Sequence, residues 1–210
     1  LKKTQEKKRF NKVEYDRKVA DWQIFYLNNL DIFVEEYLEI PLKYFQKQIL
    51  LDCWKNDIEY IIASRGLSKS FIIGNMAISL ALEKIDVLLS SEKKGISPIL
   101  KQLRKDKYIE FVKDKTTDAR VVNLGNGSKI FAVNCGEGGR GSRTHISILD
   151  EAVLVKRKDY DAIVEPMLEP YNFNGLVVEP KQIFMTSAKT KDKWVEAVKA
   201  DHIFHLHIRS

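Results

Sequence analysis

The chain has 210 residues, 44% of them hydrophobic and 30% charged, which suits one globular domain with a sizeable core and at most a small appendage. No apolar run approaches the length of a membrane span and no signal peptide is visible; the two cysteines, Cys53 and Cys135, form no C-x-x-C pair, which argues against a disulfide framework or zinc site and for a reducing, cytoplasmic setting. A formal net charge of +6 is compatible with a polyanionic partner such as DNA, and an opening on Leu1 rather than Met reads as a piece of a longer protein.

Positive charge gathers at the start. The first twenty residues hold eight Lys or Arg against three acids, a net of +5. Residues 1–40 contain no Gly or Pro and read as helical, with Leu27, Leu30, Val34, Tyr37 and Leu38 at helix spacing. This arm is either a solvated helix packed on the core or a contact with DNA or a neighbouring subunit. Pro41 punctuates the chain, and a helix is predicted over 42–55. The short apolar run Tyr60-Ile61-Ile62-Ala63 reads as a buried strand. An apolar helix follows over about 69–83, then a strand over 85–91 and a helix near 97–107. Asn126-Gly127, between apolar runs at 121–124 and 129–133, marks a hairpin. A glycine-rich link at 136–141 leads to a buried strand at 146–149. A helix near 160–168, a strand at 182–185, a helix near 193–200 and a last strand within 203–208 complete the pattern. Strands alternating with helices predict an α/β fold with a mainly parallel sheet covered on both faces.

Between the strand ending at Ala63 and the following helix stands Ser64-Arg65-Gly66-Leu67-Ser68-Lys69-Ser70. A strand, a tight loop and a helix start present backbone N–H groups to the phosphates of a nucleotide. A lysine at the helix start reaches the outer phosphates and the next hydroxyl binds Mg²⁺. The usual pattern is G-x-x-x-x-G-K-[ST]. Here Ala63 stands in place of the first glycine and Ser68 in place of the second, so an ordinary strand-to-helix turn with an exposed lysine is the competing reading. Downstream, Ile146-Ser147-Ile148-Leu149-Asp150-Glu151 puts two acids at the carboxyl end of an apolar strand, where ligands of open α/β sheets bind. Asp150 is the candidate Mg²⁺ holder, and Glu151 the candidate base that orients and deprotonates the attacking water. The plainer reading of this pair is an acidic helix cap. Both halves, in order and on the right elements, point to ATP binding and hydrolysis, with a strand–helix unit between them as in P-loop ATPases whose catalytic glutamate follows the metal-binding aspartate.

Taken together, these features resemble the ATPase domain of phage terminase large subunits over roughly residues 41–191. Phe45-Gln46-Lys47-Gln48-Ile49-Leu50 is similar to the family's adenine-reading segment, with Gln46 the preferred reader; a carboxamide matches an adenine edge, though Gln46 also reads as a solvated helix residue. The loop with Arg65 resembles the family's glycine-poor phosphate loop, Leu88-Leu89-Ser90-Ser91-Glu92-Lys93-Lys94-Gly95 the segment after its second strand, and Ile148-Leu149-Asp150-Glu151-Ala152 its acidic strand. Met185-Thr186-Ser187-Ala188 resembles its coupling motif, which senses the γ-phosphate and passes hydrolysis to movement. Thr186 and Ser187 also read as helix caps. The resemblance also implies an arginine acting in a neighbouring subunit's site. Arg140 is favoured over Arg143 within Gly138-Gly139-Arg140-Gly141-Ser142-Arg143, with Arg65 acting in cis as the alternative and DNA or solvent contact as the plain one.

The resemblance therefore implies a P-loop (RecA/ASCE-like) fold over 41–210 with a basic helical arm over 1–40. It implies ATP and Mg²⁺ as cofactors, with Ser64, Arg65, Gly66, Leu67, Ser68, Lys69, Ser70, Gln46, Thr186 and Ser187 around the nucleotide and Ser70 and Asp150 on the metal. Expected partners are double-stranded DNA, a portal protein, a terminase small subunit and further copies in a ring on the portal, the isolated chain being monomeric and nearly inactive. The expected location is the host cell cytoplasm at the procapsid portal, with no membrane contact. No acidic cluster is left over for the family's nuclease chemistry, so none is expected from this chain. The rivals are an ATPase lobe of a helicase or other translocase, which shares the loop and the Asp-Glu pair, and an assembly module that keeps the fold without hydrolysis. His145, His202, His205 and His207 show no metal-site spacing.

Overall fold

Asn11 starts the first helix, α1 (Lys12–Asn28), by accepting the Val13 N–H at 3.1 Å on its side-chain oxygen. The computed structural model describes residues 11–63, 68–83, 85–91, 121–135, 143–173, 176–187 and 205–208. Most of α1 is exposed, including Val13, Tyr15 and Trp22. Its last turn and the short α2 (Leu30–Ile32) bury Leu27 and Leu30 against Ile49 and Leu50 of α3 (Tyr44–Lys55). A π-helical turn, Phe33–Tyr37, closed by Leu38 N–H on the Phe33 carbonyl at 3.1 Å, follows α2. The extra residue in that turn rotates the chain off the 3.6-residue phase. Phe33, Val34 and Leu38 are buried, while Tyr37, expected on the same face, is 52% exposed. Glu35 ties the junction: its Oε1 accepts the Leu42 N–H at 3.1 Å and its Oε2 pairs with Lys47.

Among the described residues the central sheet has seven strands in the order β3 (Val121–Asn123), β4 (Lys129–Asn134), β2 (Val87–Ser91), β5 (Ile146–Asp150), β8 (Lys181–Thr186), β1 (Ile58–Ala63), β9 (His205–Ile208). β3 runs antiparallel to β4, and all other neighbours are parallel. Because side chains alternate along a strand, the sheet divides two cores. Tyr60, Leu88, Leu149 and Phe184 face a cluster with Val164, Met167 and Tyr160 of α5 (Arg157–Ile163). Ile61, Leu89, Ile148, Ile183 and Met185 face the other cluster, with α3 and α4 (Lys69–Leu82). Register carries the layers across: Phe184 pairs with both Tyr60 and Leu149. Residues Ile72 to Ala81 of α4 are all buried, which is why this helix is apolar all round. At its carboxyl end the Asn126 side-chain amide donates to the Ala81 and Leu82 carbonyls at 2.8 and 2.9 Å, and Ser128 Oγ also bonds the Ala81 carbonyl. The β3–β4 hairpin thus caps the helix, with Gly127 at φ +95° in its turn.

The expected α/β class and mainly parallel sheet are present. The helix expected near 160–168 instead starts at Arg157 and ends at Ile163, followed by a 3₁₀ turn, Glu165–Met167. Pro166 disfavours helical backbone at the residue before it. A second, two-stranded sheet of β6 (Tyr171–Phe173) and β7 (Leu176–Val178) was not expected. The predicted helices near 97–107 and 193–200, the link at 136–141 and residues 64–67 lie outside the described residues.

Candidate functional site

β5, β8 and β1 are adjacent and parallel, so their carboxyl ends reach one edge of the sheet together. Asp150 pairs with Met185, and Ile62 pairs with Thr186. The end of the loop strand, the end of the acidic strand and the Thr186-Ser187 segment are therefore brought side by side. The segment lies on the strand between the other two. α4 starts directly above this edge. Its first helical residues, Lys69 and Ser70, follow Ser68, whose backbone is left-handed (φ 56°, ψ 27°) and whose side chain makes no capping hydrogen bond. Left-handed backbone is the conformation that a glycine adopts freely and that costs any other residue about 1–2 kcal/mol. Ser68 thus keeps the geometry of the pattern's second glycine without its freedom. The turn leaves the first N–H groups of a 14-residue helix unbonded within the helix, which favours an anion there.

Lys69 turns back from the helix start. Its Nζ donates to the Ala63 carbonyl at 3.4 Å and lies 3.9 Å from Glu151 Oε1, with the side chain only 12% exposed. Glu151 also has left-handed backbone (φ 49°, ψ 49°), immediately after the last residue of β5. Its carboxylate meets Ser187: Oε2 accepts from Ser187 Oγ at 2.8 Å and from Ser187 N at 3.3 Å, and Oε1 lies 3.1 Å from the same hydroxyl. Thr186 is buried and its Oγ1 donates to the Ser187 carbonyl at 3.4 Å.

Asp150 is partly buried, and its Oδ1 accepts the Glu151 N–H at 3.0 Å. Burial pushes its carboxyl above the usual range and the neighbouring Glu151 charge adds to this, while the Glu151 N–H and Lys69 pull the other way. Two adjoining carboxylates facing one lysine leave negative charge that a divalent cation would offset. The Asp150 carboxylate and the exposed Ser70 hydroxyl are hard oxygen donors of the kind Mg²⁺ takes, so this donor set fits the metal.

Of the residues singled out in the sequence, Ser68, Lys69, Ser70, Asp150, Glu151, Thr186 and Ser187 stand on this edge. Gln46 lies in the first turn of α3, where its Oε1 accepts the Lys43 N–H at 2.8 Å; that oxygen caps the helix. Arg143 precedes β5 at its amino end, opposite Asp150, and sits 3.4 Å from Glu169 with its side chain 68% exposed. It is therefore not in its own chain's cluster. Ser64, Arg65, Gly66, Leu67 and Arg140 lie outside the described residues. Two features escaped the sequence reading: the Ala63 carbonyl as the lysine's partner, and the left-handed backbone at Glu151. A helix-start lysine following a strand end hinted at the first; nothing in the residue type of glutamate announces the second.

No family model matches the sequence, and no curated protein matches it. Among solved structures, the fold is similar to the large terminase ATPase domain of Thermus phage P74-26, with a TM-score of 0.57 over 78% of this chain and 71% of that one at 13% identity. An arginine-to-alanine mutant of that domain matches equally. The large terminase of the thermophilic bacteriophage D6E, in complex with ATP-gamma-S, overlays at a TM-score of 0.47 and 12% identity, over 70% of this chain and 38% of that one. What the chain shares with the Thermus phage domain is the fold: a mainly parallel sheet flanked by helices.

Proposed function

We propose that this chain is the ATPase motor domain of a viral terminase large subunit, hydrolysing ATP with Mg²⁺ to drive double-stranded DNA into a procapsid. The observation that carries the reading is the meeting of Lys69, Asp150, Glu151 and Ser187 at the carboxyl edge of three adjacent parallel strands, beside the start of α4. The fold's likeness to terminase ATPase domains supports the choice among P-loop ATPases.

In this mechanism the N–H groups at the start of α4 and the Lys69 ammonium bind the phosphates. Ser70 and Asp150 would hold Mg²⁺, which would supply neutralisation of the phosphate charge and polarisation of the phosphorus–oxygen bonds. Glu151 orients a water and accepts its proton as the water attacks the γ-phosphorus, while the bond from that phosphorus to the bridging β-phosphate oxygen breaks and ADP leaves. Lys69 exchanges the Ala63 carbonyl and Glu151 for phosphate oxygens, which frees Glu151 from its cationic neighbour. A trans-acting arginine from a second copy, Arg140 or Arg143, completes the charge balance on the transferred group. The exposed, amino-end position of Arg143 is compatible with contact across subunits. Double-stranded DNA, a portal protein, a terminase small subunit and a ring of copies at the procapsid portal in the host cytoplasm are the partners and place that this reading implies.

The first test is titration calorimetry of Mg²⁺-ATP into this chain and into Lys69→Ala. The intact chain is expected to bind and the variant to bind at least about tenfold more weakly, the loss of one charge-assisted contact. Equal binding by both would remove the phosphate-site assignment.

A further inference from the structure

We infer that Phe71 is the platform for the nucleoside end of the bound triphosphate: its ring takes the face of the base, so the site selects nucleoside triphosphates by stacking rather than by reading the edge of one base. The inference rests on the ATPase reading above and adds to it a specificity-determining residue that the sequence did not single out.

Phe71 is 40% exposed, whereas α4 from Ile72 to Ala81 is buried. A single exposed apolar side chain is ordinary on a protein surface; what sets this ring apart is its place. It follows Ser70 directly, in the first turn of the helix whose free N–H groups face the phosphates. At about 3.6 residues per turn, a side chain two positions after Lys69 leaves the helix roughly 200° round from it. Lys69 points to Glu151, 3.9 Å away, and so marks the side of the γ-phosphate and the attacking water. The base is at the other end of the nucleotide. A phosphate chain that ends at Lys69 and lies across the helix start therefore carries its ribose and base to the opposite flank, where Phe71 stands. The Asn75 side-chain amide donates to the Phe71 carbonyl at 2.9 Å and fixes the backbone of this turn.

The competing group is Gln46. It is 5% exposed, and its Oε1 accepts the Lys43 N–H at 2.8 Å. A buried carboxamide whose oxygen holds a helix cap does not present donor and acceptor together to a base edge. An exposed ring needs no such commitment. Stacking uses the face of the base, which every base has, so it separates nucleotides from bare phosphates without separating one base from another. Removing such a ring costs about tenfold or more in affinity.

Calorimetry on the full chain tests this, with Mg²⁺ and three probes: ATP, GTP and inorganic tripolyphosphate, which has the phosphates and no base. The natural chain is expected to bind ATP at least about tenfold more tightly than tripolyphosphate, and GTP within about tenfold of ATP. Phe71→Ala is expected to weaken ATP and GTP alike by about tenfold and to leave tripolyphosphate within about twofold. Phe71→Trp, which offers a larger ring face, is expected to bind both nucleotides within about twofold of the natural chain or more tightly. An alanine variant that binds ATP as the natural chain does overturns the proposal. So does one that loses tripolyphosphate by the same factor as ATP, since the ring would then support the helix start rather than the base. A natural chain that prefers ATP over GTP by more than about tenfold reads a base edge, and the stacking account falls. The two levels of failure separate. Tripolyphosphate bound and ATP bound no more tightly sinks this inference alone; a chain that binds neither sinks the phosphate-site reading and this inference with it.

Discussion

The two edges of the sheet use polar groups in opposite ways. At the amino edge, charged groups are bound into the frame. The buried Lys181 donates to Asp57 at 3.1 Å with its ammonium 5.2 Å from the Trp54 ring centre. Asp86 accepts the Lys129 N–H at 2.7 Å on its side chain and the His145 N–H at 3.1 Å on its carbonyl. His145 Nδ1 lies 3.2 Å from the Glu169 carbonyl. Each of these contacts ties one loop or strand start to another. At the carboxyl edge two non-glycine residues, Ser68 and Glu151, hold left-handed backbone, and Lys69 and Glu151 meet only at 3.9 Å. The first set stabilises the fold as it stands; at the second the backbone is strained and the Lys69–Glu151 pair is loose, as suits a lysine that exchanges partners when a ligand arrives.

The sharpest way to break this contrast is Glu151→Gln. The amide keeps an oxygen for Ser187 but has no basicity, so turnover is expected to fall by at least about 100-fold with ATP affinity held within about threefold. Unfolding by urea is expected to change little, because the amide oxygen keeps the Ser187 contact and only the loose 3.9 Å pairing with Lys69 is lost. A variant that loses stability as well as rate would place Glu151 among the frame contacts and erase the difference between the edges. Single-turnover hydrolysis alongside urea unfolding reads both.

Next in size is a pH effect at the amino half of β1. Glu59 is buried, and burial pushes its carboxyl from an ordinary 4.5 to about 7, against the Asn56 amide that donates to it at 2.7 Å and with the Asp52 charge adding to the rise. A carboxyl that binds its proton more tightly folded than unfolded stabilises the fold fully below its unfolded pKa. That contribution is lost as pH rises from about 4.5 through about 7. Relative to Glu59→Gln, which cannot ionise, the natural chain is expected to lose on the order of 2 kcal/mol across that window. Urea midpoints at pH 5 and pH 8 measure it. The variant should match the natural chain at pH 5 and exceed it at pH 8. A constant gap at both values would mean that Glu59 keeps one protonation state throughout.

These contrasts bear on what a sequence shows. β1, α4, β5 and β8 were legible because each is an apolar run ended by polar residues, and the positions of Lys69, Asp150 and Glu151 followed from where those runs stop. The order of the strands was less accessible. That β8 lies between β1 and β5, and so brings Ser187 to Glu151, depends on pairings between residues more than thirty apart, such as Leu149 with Phe184. Local periodicity carries no such information. The β6–β7 hairpin had a readable signal, Asn174-Gly175, of the same kind as Asn126-Gly127, but flanking strands of three residues each are too short to show alternation. Tyr37 was assigned to the buried face because a π turn leaves no mark in residue type.

The smallest expected effect concerns Ser68, where the strain of the carboxyl edge can be measured directly. Its φ of 56° costs a serine about 1–2 kcal/mol that glycine does not incur, and its side chain makes no cap hydrogen bond that glycine would forfeit. Against this, glycine gives the unfolded chain more freedom, which returns part of the gain. Ser68→Gly is therefore expected to stabilise the ligand-free chain by about 0.5–1 kcal/mol, read as a higher urea midpoint. Ser68→Ala, which keeps the strain, is expected to change stability by less than that. ATP affinity separates two causes for the serine. If the glycine variant is more stable and binds ATP as before, the serine is tolerated strain and the loop works on backbone geometry alone. If it is more stable but binds more weakly, the hydroxyl or the stiffness of the turn contributes to the phosphate site, and the strain at this edge is coupled to its function. A glycine variant that is less stable than the natural chain would show that the turn is held by contacts of the serine rather than in spite of it, and the strained edge would then be no more strained than the other.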